Sequence, residues 1–390
     1  MSEEKEKLGV IGLNALNVAE SAEEAGYLVY LVNYHQDSGG IKGIHHPLQR
    51  NPLKPNLRDE YSAGKLVDYA IEKLWGEVDE IILTSAVGCN PLLVRRLEKI
   101  FHVVGNDYRA VFRARCWRIL EDAGVNAGCM VPNTVVVGSK KELFDAFEVV
   151  GFPNIIKPCF EGSGFRQRII RDRGEVDSLG GFRCEMLVQE RIGGIPVSCT
   201  VLSDGTDAVA LTVNMQLIGL REFNAKEFTY CGNIVPYETP FRDEIKKCSE
   251  EIVSALGLKG CNGVDYILNE RGLYLLEVNS RIPDTIWGVE RRLGINLVKE
   301  HVLAVDGGMN SVFRGNNKFY GKAVLFADRW FKVESKNNLE GVGNIPPEGT
   351  VIQVNEPTCS VYSEGDSKAS VLNELTSKSK EVVCGQLNPR

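Results

Sequence analysis

Residues 260–281 read GCNGVDYILNERGLYLLEVNSR. Val264, Tyr266 and Leu268 alternate with Asp265 and Ile267, and Leu276 and Val278 alternate with Glu277 and Asn279. Period-two alternation marks strands with one buried face, here joined by a tight turn. A three-residue loop, Glu270-Arg271-Gly272, would close on a left-handed Gly272 and set Asn269 opposite Leu273. That register puts Asp265 opposite Glu277 and Gly263 opposite Asn279, and paired residues point to one side. Two carboxylates and an amide oxygen then converge on one face, with Arg281 one strand-step further on. Such oxygens suit Mg²⁺ (or Mn²⁺), held by one or two carboxylates together with substrate phosphates. The alternative is a solvated hairpin face with scattered charges. Directly opposed acids destabilise a strand pair unless a cation lies between them, which favours the metal.

The chain around this hairpin has 390 residues, enough for two or three domains, with 43% apolar and 25% charged residues. A net charge of −7 and a pI near 5.5 give no electrostatic footprint for nucleic acid. The 11 cysteines include no C-x-x-C pair and no zinc spacing, which points to reduced thiols in the cytoplasm rather than a disulfide framework. Cys116, Cys199 and Cys261 read as small core residues. The N-terminus, MSEEKEKLGVIGLN, has no signal-peptide pattern, and no apolar run is long enough for a membrane span.

Residues 8–12, a helical pattern from Ala15 to Gly26 and the strand 28–32 form a right-handed βαβ unit of a parallel sheet. Gly9 and Gly12 do not complete a dinucleotide fingerprint. Residues 35–58, with His45 and His46, read as a long loop. A helix at 61–75, the strand 80–84, a helix at 91–101 and the strand 102–104 complete a first α/β unit. One helix is expected over 107–125. The strand 134–137, a helix capped by Ser139, and the strand 155–157 follow. Further strands lie at 168–170, 186–189, 197–202 and 208–213, then a helix at 241–256 before the hairpin. Helical patterns return at 287–293 and 296–305. Short strands at 320–326, 350–353 and 358–362 and a helix at 367–380 close the chain.

The strand ending in Lys157 runs into Pro158-Cys159-Phe160-Glu161-Gly162-Ser163-Gly164-Phe165. A lysine at a strand end followed by Gly-x-Gly can set an ammonium and backbone N–H groups on a polyphosphate. A Gly-rich hairpin tip with a solvated lysine is as common a reading of these residues alone, and no Walker loop is present. The order of parts says more: a βαβ domain, this loop, Gln189-Glu190-Arg191-Ile192-Gly193-Gly194, then Asp265 and Glu277-Val278-Asn279-Ser280-Arg281. In this order and these motifs the chain resembles the ATP-grasp superfamily of carboxylate ligases, over most of residues 8–306.

The resemblance implies a mixed α/β and α+β fold. It consists of an N-terminal Rossmann-like domain (1–106), a two-subdomain ATP-grasp fold (107–317, small lid subdomain about 130–192) and a small C-terminal β-rich domain (318–390). It implies ATP and Mg²⁺ as cofactors. Lys157 resembles the strand lysine that contacts ATP, and Gly162, Ser163 and Gly164 resemble the covering loop. Gln189, Glu190, Arg191 and Ile192 resemble the adenine hinge. Asp265, Glu277 and Asn279 fall at the metal-ligand positions, and Arg281, with Lys157, takes a catalytic place. Arg113, eleven residues before Gly124, stands where the family has a second ATP-contacting lysine.

Residues 318–386 resemble the C-terminal domain of biotin carboxylase, and the chain looks like uncharacterised carboligases related to that enzyme. After Arg281, however, Ile282-Pro283-Asp284-Thr285-Ile286-Trp287 replaces the His-Pro-Val-Thr-Glu run of biotin carboxylase. That segment, with Tyr230-Cys231-Gly232-Asn233, resembles the acceptor loops of the amino-acid-ligase branch. The implied activity is ligation of a small-molecule carboxylate to an amine through an acyl phosphate, in a cytoplasmic enzyme with no nucleic-acid or membrane partner and a homodimeric form as in the family. Carboxylation through carboxyphosphate and non-catalytic nucleotide binding are the competing readings.

Overall fold

β1 (Lys7–Ile11), β2 (Leu28–Asn33), β3 (Ile44–Pro47), β4 (Glu80–Leu83) and β5 (His102–Val103) form a parallel sheet in the order β3-β2-β1-β4-β5. The computed structural model describes residues 5–34, 40–48, 62–159, 167–178, 184–333 and 340–386. Both faces of this sheet are covered, so its strands are apolar at successive positions. Leu8, Val10, Val29 and Leu31 pack on one side with α1 (Leu16–Ala25). Ile11, Tyr30 and Val32 pack on the other with α2 (Ala63–Leu74) and α3 (Pro91–Leu97). The loop expected over 35–58 is interrupted by β3, where His45 lies beside Leu31 and its Nε2 is 2.9 Å from Asn33 Oδ1.

The single helix expected over 107–125 is two, α4 (Tyr108–Arg115) and α5 (Trp117–Asn126). The chain turns at Cys116, whose ψ of 106° is extended rather than helical. The turn lets Ala114 on α4 and Trp117 and Leu120 on α5 all enter one core. A four-stranded antiparallel sheet follows in the order β6-β9-β7-β8, from β6 (Thr134–Val137), β7 (Asn154–Pro158), β8 (Arg168–Ile170) and β9 (Met186–Glu190). One face carries α6 (Lys140–Val150), started as expected by Ser139, whose hydroxyl accepts from Glu142 N while Glu142 accepts from Gly138 N.

The largest sheet is built from β10 (Ile195–Asp204), β11 (Ala208–Ile218), β12 (Tyr230–Val235), β13 (Lys259–Asn269), β14 (Gly272–Asn279), β15 (Phe319–Phe326), β17 (Val342–Gly343) and β19 (Pro357–Gly365). Its order is β14-β13-β10-β11-β12-β15-β19-β17, so the C-terminal strands continue it through the β12–β15 pair. β16 (Phe331–Lys332) and β18 (Val351–Ile352) pair separately. Tyr230–Asn233, expected as a loop, is the start of β12. Gly232 is required there: at φ +139° its Cβ would lie 2.0 Å from the Lys322 carbonyl on β15. α7 (Arg242–Ala255) covers one face of the sheet through Ile245, Ile252 and Val253, and α8 (Ile286–Leu293), α9 (Leu297–Val305) and α10 (Lys368–Gln386) complete the chain.

His301 on α9 fastens the first sheet to β13. Its Nδ1 accepts from Cys261 N at 2.8 Å, which leaves Nε2 to donate to Val104 O at 3.0 Å. The bond accepted at Nδ1 needs a neutral ring, and burial, opposed by the bond to Val104 O, holds the imidazole down at about 4. The unfolded chain takes up this proton near pH 6.5, so the contribution is complete above that pH. It is lost as pH falls towards 4 and amounts to about 3 kcal/mol. Urea unfolding of the wild type and His301→Asn at pH 7 and 4.5 checks this. The wild type should lose about 2.5 kcal/mol more than the variant, and equal losses would contradict the assignment.

Candidate active site

The hairpin closes differently from the expectation, yet places its carboxylates as expected. Asn269 pairs with Gly272 rather than Leu273, so the loop is the two residues Glu270 and Arg271. A bulge then inserts Leu276 between the pairs Tyr266–Leu275 and Asp265–Glu277. The one-residue shift at the turn and the extra residue in β14 cancel. Beyond the bulge Asp265 faces Glu277 and Gly263 faces Asn279.

The two acids are held in opposite states. Burial, with Glu277 opposite, pushes the Asp265 carboxyl up to about 7. Burial also works against Glu277, but Arg115, Lys157 and Arg281 outweigh it and hold that carboxyl below its ordinary value. Arg115 Nη1 lies 3.6 Å from Glu277 Oε2, with the Arg115 side chain almost wholly buried. Burial, opposed by Glu277, lowers the Lys157 ammonium. Asn279 Nδ2 donates to Asp265 Oδ2 at 2.9 Å, and Asn279 Oδ1 accepts from Arg281 Nη2 at 3.3 Å. Presenting that oxygen to a cation therefore requires the amide to turn. Arg281 Nε is buried and has no partner among the described residues. An anionic pair with one member forced towards neutrality, ringed by cations, fits a divalent cation carrying phosphate oxygens.

Arg113 is not part of this ring. Its Nε donates to Leu256 O at 2.8 Å, at the end of α7. Arg115, two residues on, is the arginine that reaches Glu277. Of the other sequence-named residues, Lys157 pairs with Leu187, so both point to one side of the small sheet. Leu187 belongs to the core of the large sheet, so that side faces the hairpin. Gln189 shares the side but is buried, and its Nε2 donates to Thr134 Oγ1 at 3.0 Å. Glu190 gives its N–H to Asn133 O at 2.8 Å. Glu190, Arg191 and Ile192 line a cavity of about 780 Å³ closed by the hairpin tip, Leu268–Arg271. The near end of the tip, Leu268, is about 10 Å from Asp265 at the rise of a strand, and Glu270 about 16 Å. Gly162, Ser163 and Gly164 lie outside the described residues.

The first sheet reaches the same place from the other side. Its order reverses between β1 and β4, and ligands of such sheets bind beyond the carboxyl ends of the strands at that reversal. There Asn14 donates from its backbone N to Ser85 Oγ at 2.9 Å and from Nδ2 to Asp284 Oδ1 at 3.1 Å. Ser280 Oγ donates to Gly88 O at 3.3 Å. Asp284 also accepts from Lys322 Nζ at 2.6 Å and from the Tyr230 hydroxyl at 3.4 Å.

Lys322 is the end of a polar row across the large sheet. Asp265 pairs with Ser198, Ser198 with Asn214, Gln216 with Asn233 and Asn233 with Lys322. The Lys322 side chain is 1% exposed, and Asp284 keeps it charged against the effect of burial. Sequence reasoning missed Lys322 and Arg115. The signal for Lys322 was a lone lysine inside the apolar strand FYGKAVLF.

Residues 116–285 match the model of the ATP-grasp domain. The chain is 24% identical over 378 residues to an uncharacterized protein of Methanocaldococcus jannaschii, covering 94% of this chain and 90% of that one. It is 30% identical over 162 residues to the 3-methyl-D-ornithine–L-lysine ligase of Methanosarcina mazei, covering 41% of this chain and 40% of that enzyme. Among solved structures it is similar to the biotin carboxylase domain dimer of the Hydrogenobacter thermophilus 2-oxoglutarate carboxylase, in complex with MgADP, ADP and bicarbonate. The TM-score is 0.72 at 17% identity, over 95% of this chain and 89% of that one. No helix among the described residues is long and apolar enough to cross a membrane.

Proposed function

We propose that the chain, whose residues 116–285 match the ATP-grasp domain, is an ATP- and Mg²⁺-dependent ligase joining a carboxylate to an amine. The observation that carries the reading is the Asp265–Glu277 pair with Arg115, Lys157 and Arg281 about it. Asp265 and Glu277 would hold the cation, with Asn279 once its amide turns. Bound there, it would neutralise the β- and γ-phosphates of ATP. The hinge Glu190–Ile192 would receive the adenine at the hairpin tip, with the triphosphate directed along β13 towards Asp265.

The protein's own part is position and charge. Lys157 and Arg115 would stabilise the transferring phosphoryl group. A substrate carboxylate attacks the γ-phosphate, giving an acyl phosphate and ADP. The amine then adds to the acyl carbon and phosphate departs with the bonding electrons. Arg281 would stabilise the oxyanion of the tetrahedral intermediate through the buried Nε that has no partner among the described residues.

Ligation is favoured over carboxylation by the segment after Arg281. Pro283–Trp287 brings Asp284 to Lys322, Tyr230 and Asn14, a polar acceptor side that resembles the amino-acid ligases. The 3-methyl-D-ornithine–L-lysine ligase matched at 30% identity joins two amino acids by name. The biotin carboxylase likeness favours the second reading, through carboxyphosphate. Steady-state ADP release separates them. Release that needs both a carboxylate and an amine is expected. Release driven by bicarbonate with no amine present would establish the carboxylase instead.

A further inference from the structure

A second cavity, of about 460 Å³, lies between α1, α8 and the β17–β19 edge. This is within the range of small-molecule sites. Its walls carry three carboxylates, Glu20, Glu24 and Glu290, and the rings of Trp287 and Tyr362, which pack with centroids 4.8 Å apart. Arg291, the basic residue of the lining, lays its guanidinium on the Trp287 ring at 4.3 Å and donates to Trp287 O at 3.2 Å. The acids differ in exposure. Glu24 is exposed, while Glu290 is half-buried and accepts from Ser21 Oγ at 2.5 Å. Glu20 is half-buried and acts electrostatically on Lys322 and Tyr362. Burial, with Glu24 close by, raises the Glu290 carboxyl.

A second observation is independent of these charges. Asn17 is 8% exposed and lines the cavity. The Tyr362 hydroxyl donates to Asn17 Oδ1 at 3.3 Å, and Asn17 Nδ2 has no partner among the described residues. Buried amide N–H groups are nearly always satisfied. An acceptor reaching Asn17 Nδ2 from the cavity would complete this bond. Among the described residues no three His, Cys, Asp or Glu side chains gather closely enough to hold a metal ion, so Glu20, Glu24 and Glu290 do not form such a set. The charge therefore suits a larger organic cation, which aromatic faces also attract.

We propose that this cavity binds an amine of amino-acid type, with its ammonium among Glu20, Glu24 and Glu290 and an oxygen acceptor on Asn17 Nδ2. The inference deepens the ligase reading, which needs an amine substrate, and rests on it for what becomes of the ligand. The inner wall adjoins the acceptor side. Tyr362 lies 6.0 Å from Lys322 Nζ, and Asp284, bonded to that lysine, is three residues from Arg281.

The test is isothermal titration of the full chain, without ATP, against L-lysine, 1,5-diaminopentane and glutarate. L-lysine should bind, the diamine at least fivefold more weakly for want of the acceptor, and glutarate not at all. Glu24→Gln and Asn17→Ala should each weaken L-lysine at least fivefold and leave Mg-ATP affinity unchanged. No binding of L-lysine, or binding that neither variant weakens, overturns the proposal. L-lysine binding in a protein whose ADP release never depends on carboxylate and amine would uphold the cavity and remove the ligase reading.

Discussion

Replacing Glu277 by glutamine should lower kcat by about 10³-fold or more while leaving the thermal transition in place. Glutamine keeps the shape and one oxygen but removes the charge on which Arg115, Lys157 and Arg281 converge. Burial, together with this side chain, pushes Asp265 up to about 7. In the variant Asp265 ionises at lower pH, so a carboxylate survives where two are needed. Asp265 is the strained member of the pair, whereas Glu277 offsets the buried charge of Arg115, so the variant gives up part of that ion pair while glutamine keeps the shape of the site, and the fold should persist. Turnover and thermal unfolding, measured together, check both halves. Wild-type activity at ordinary Mg²⁺ would remove Glu277 from the metal site.

The second large effect separates two arginines that are two residues apart. Arg115→Met should reduce kcat/KM for Mg-ATP by about 10²-fold, the scale of a lost transition-state donor. Arg113→Met should change it less than about threefold and cost stability of about 1 kcal/mol, the worth of its bond to Leu256 O. The reason is geometric. Arg115 reaches Glu277, whereas Arg113 points to the end of α7. Methionine matches the length of the arginine stem without its charge, so packing is largely kept in both variants. Equal losses in both would mean that the break at Cys116, not the Arg115 guanidinium, governs the site.

The hairpin shows how far the residues themselves could be read. Alternation with the expected three-residue loop places Asp265 and Glu277 on one face, whereas the two-residue loop alone would pair Asp265 with Leu276 and turn Glu277 to the other face. The turn itself was not legible, because Asn269-Glu270-Arg271-Gly272 suits either loop length and nothing in LYLLEV marks Leu276 as the bulged residue. Two offsets of one residue cancel, and the carboxylates meet. Arg113, chosen by its spacing from Gly124, bonds Leu256 O, while Arg115 on the same helix, which ends at Cys116, reaches Glu277. β12 was hidden by Gly232 and Asn233, residues typical of turns. Here they serve a close backbone approach and a buried bond from Asn233 Nδ2 to the Tyr230 hydroxyl. Lys322 and Asn14 enter the site through pairings with residues far along the chain, which no local pattern reports. The parallel sheet and its strand–helix order were legible because burial on both faces writes itself as unbroken apolar runs.

The central claim is that this site transfers the γ-phosphoryl group of ATP to a carboxylate. Phosphorus NMR of the full protein with ATP, Mg²⁺, a panel of carboxylates and hydroxylamine as the amine reads that transfer directly. The account predicts ADP and phosphate appearing only with a particular carboxylate, together with its hydroxamate, and no products from Glu277→Gln. AMP and pyrophosphate would mean adenylation of the carboxylate and would contradict the account.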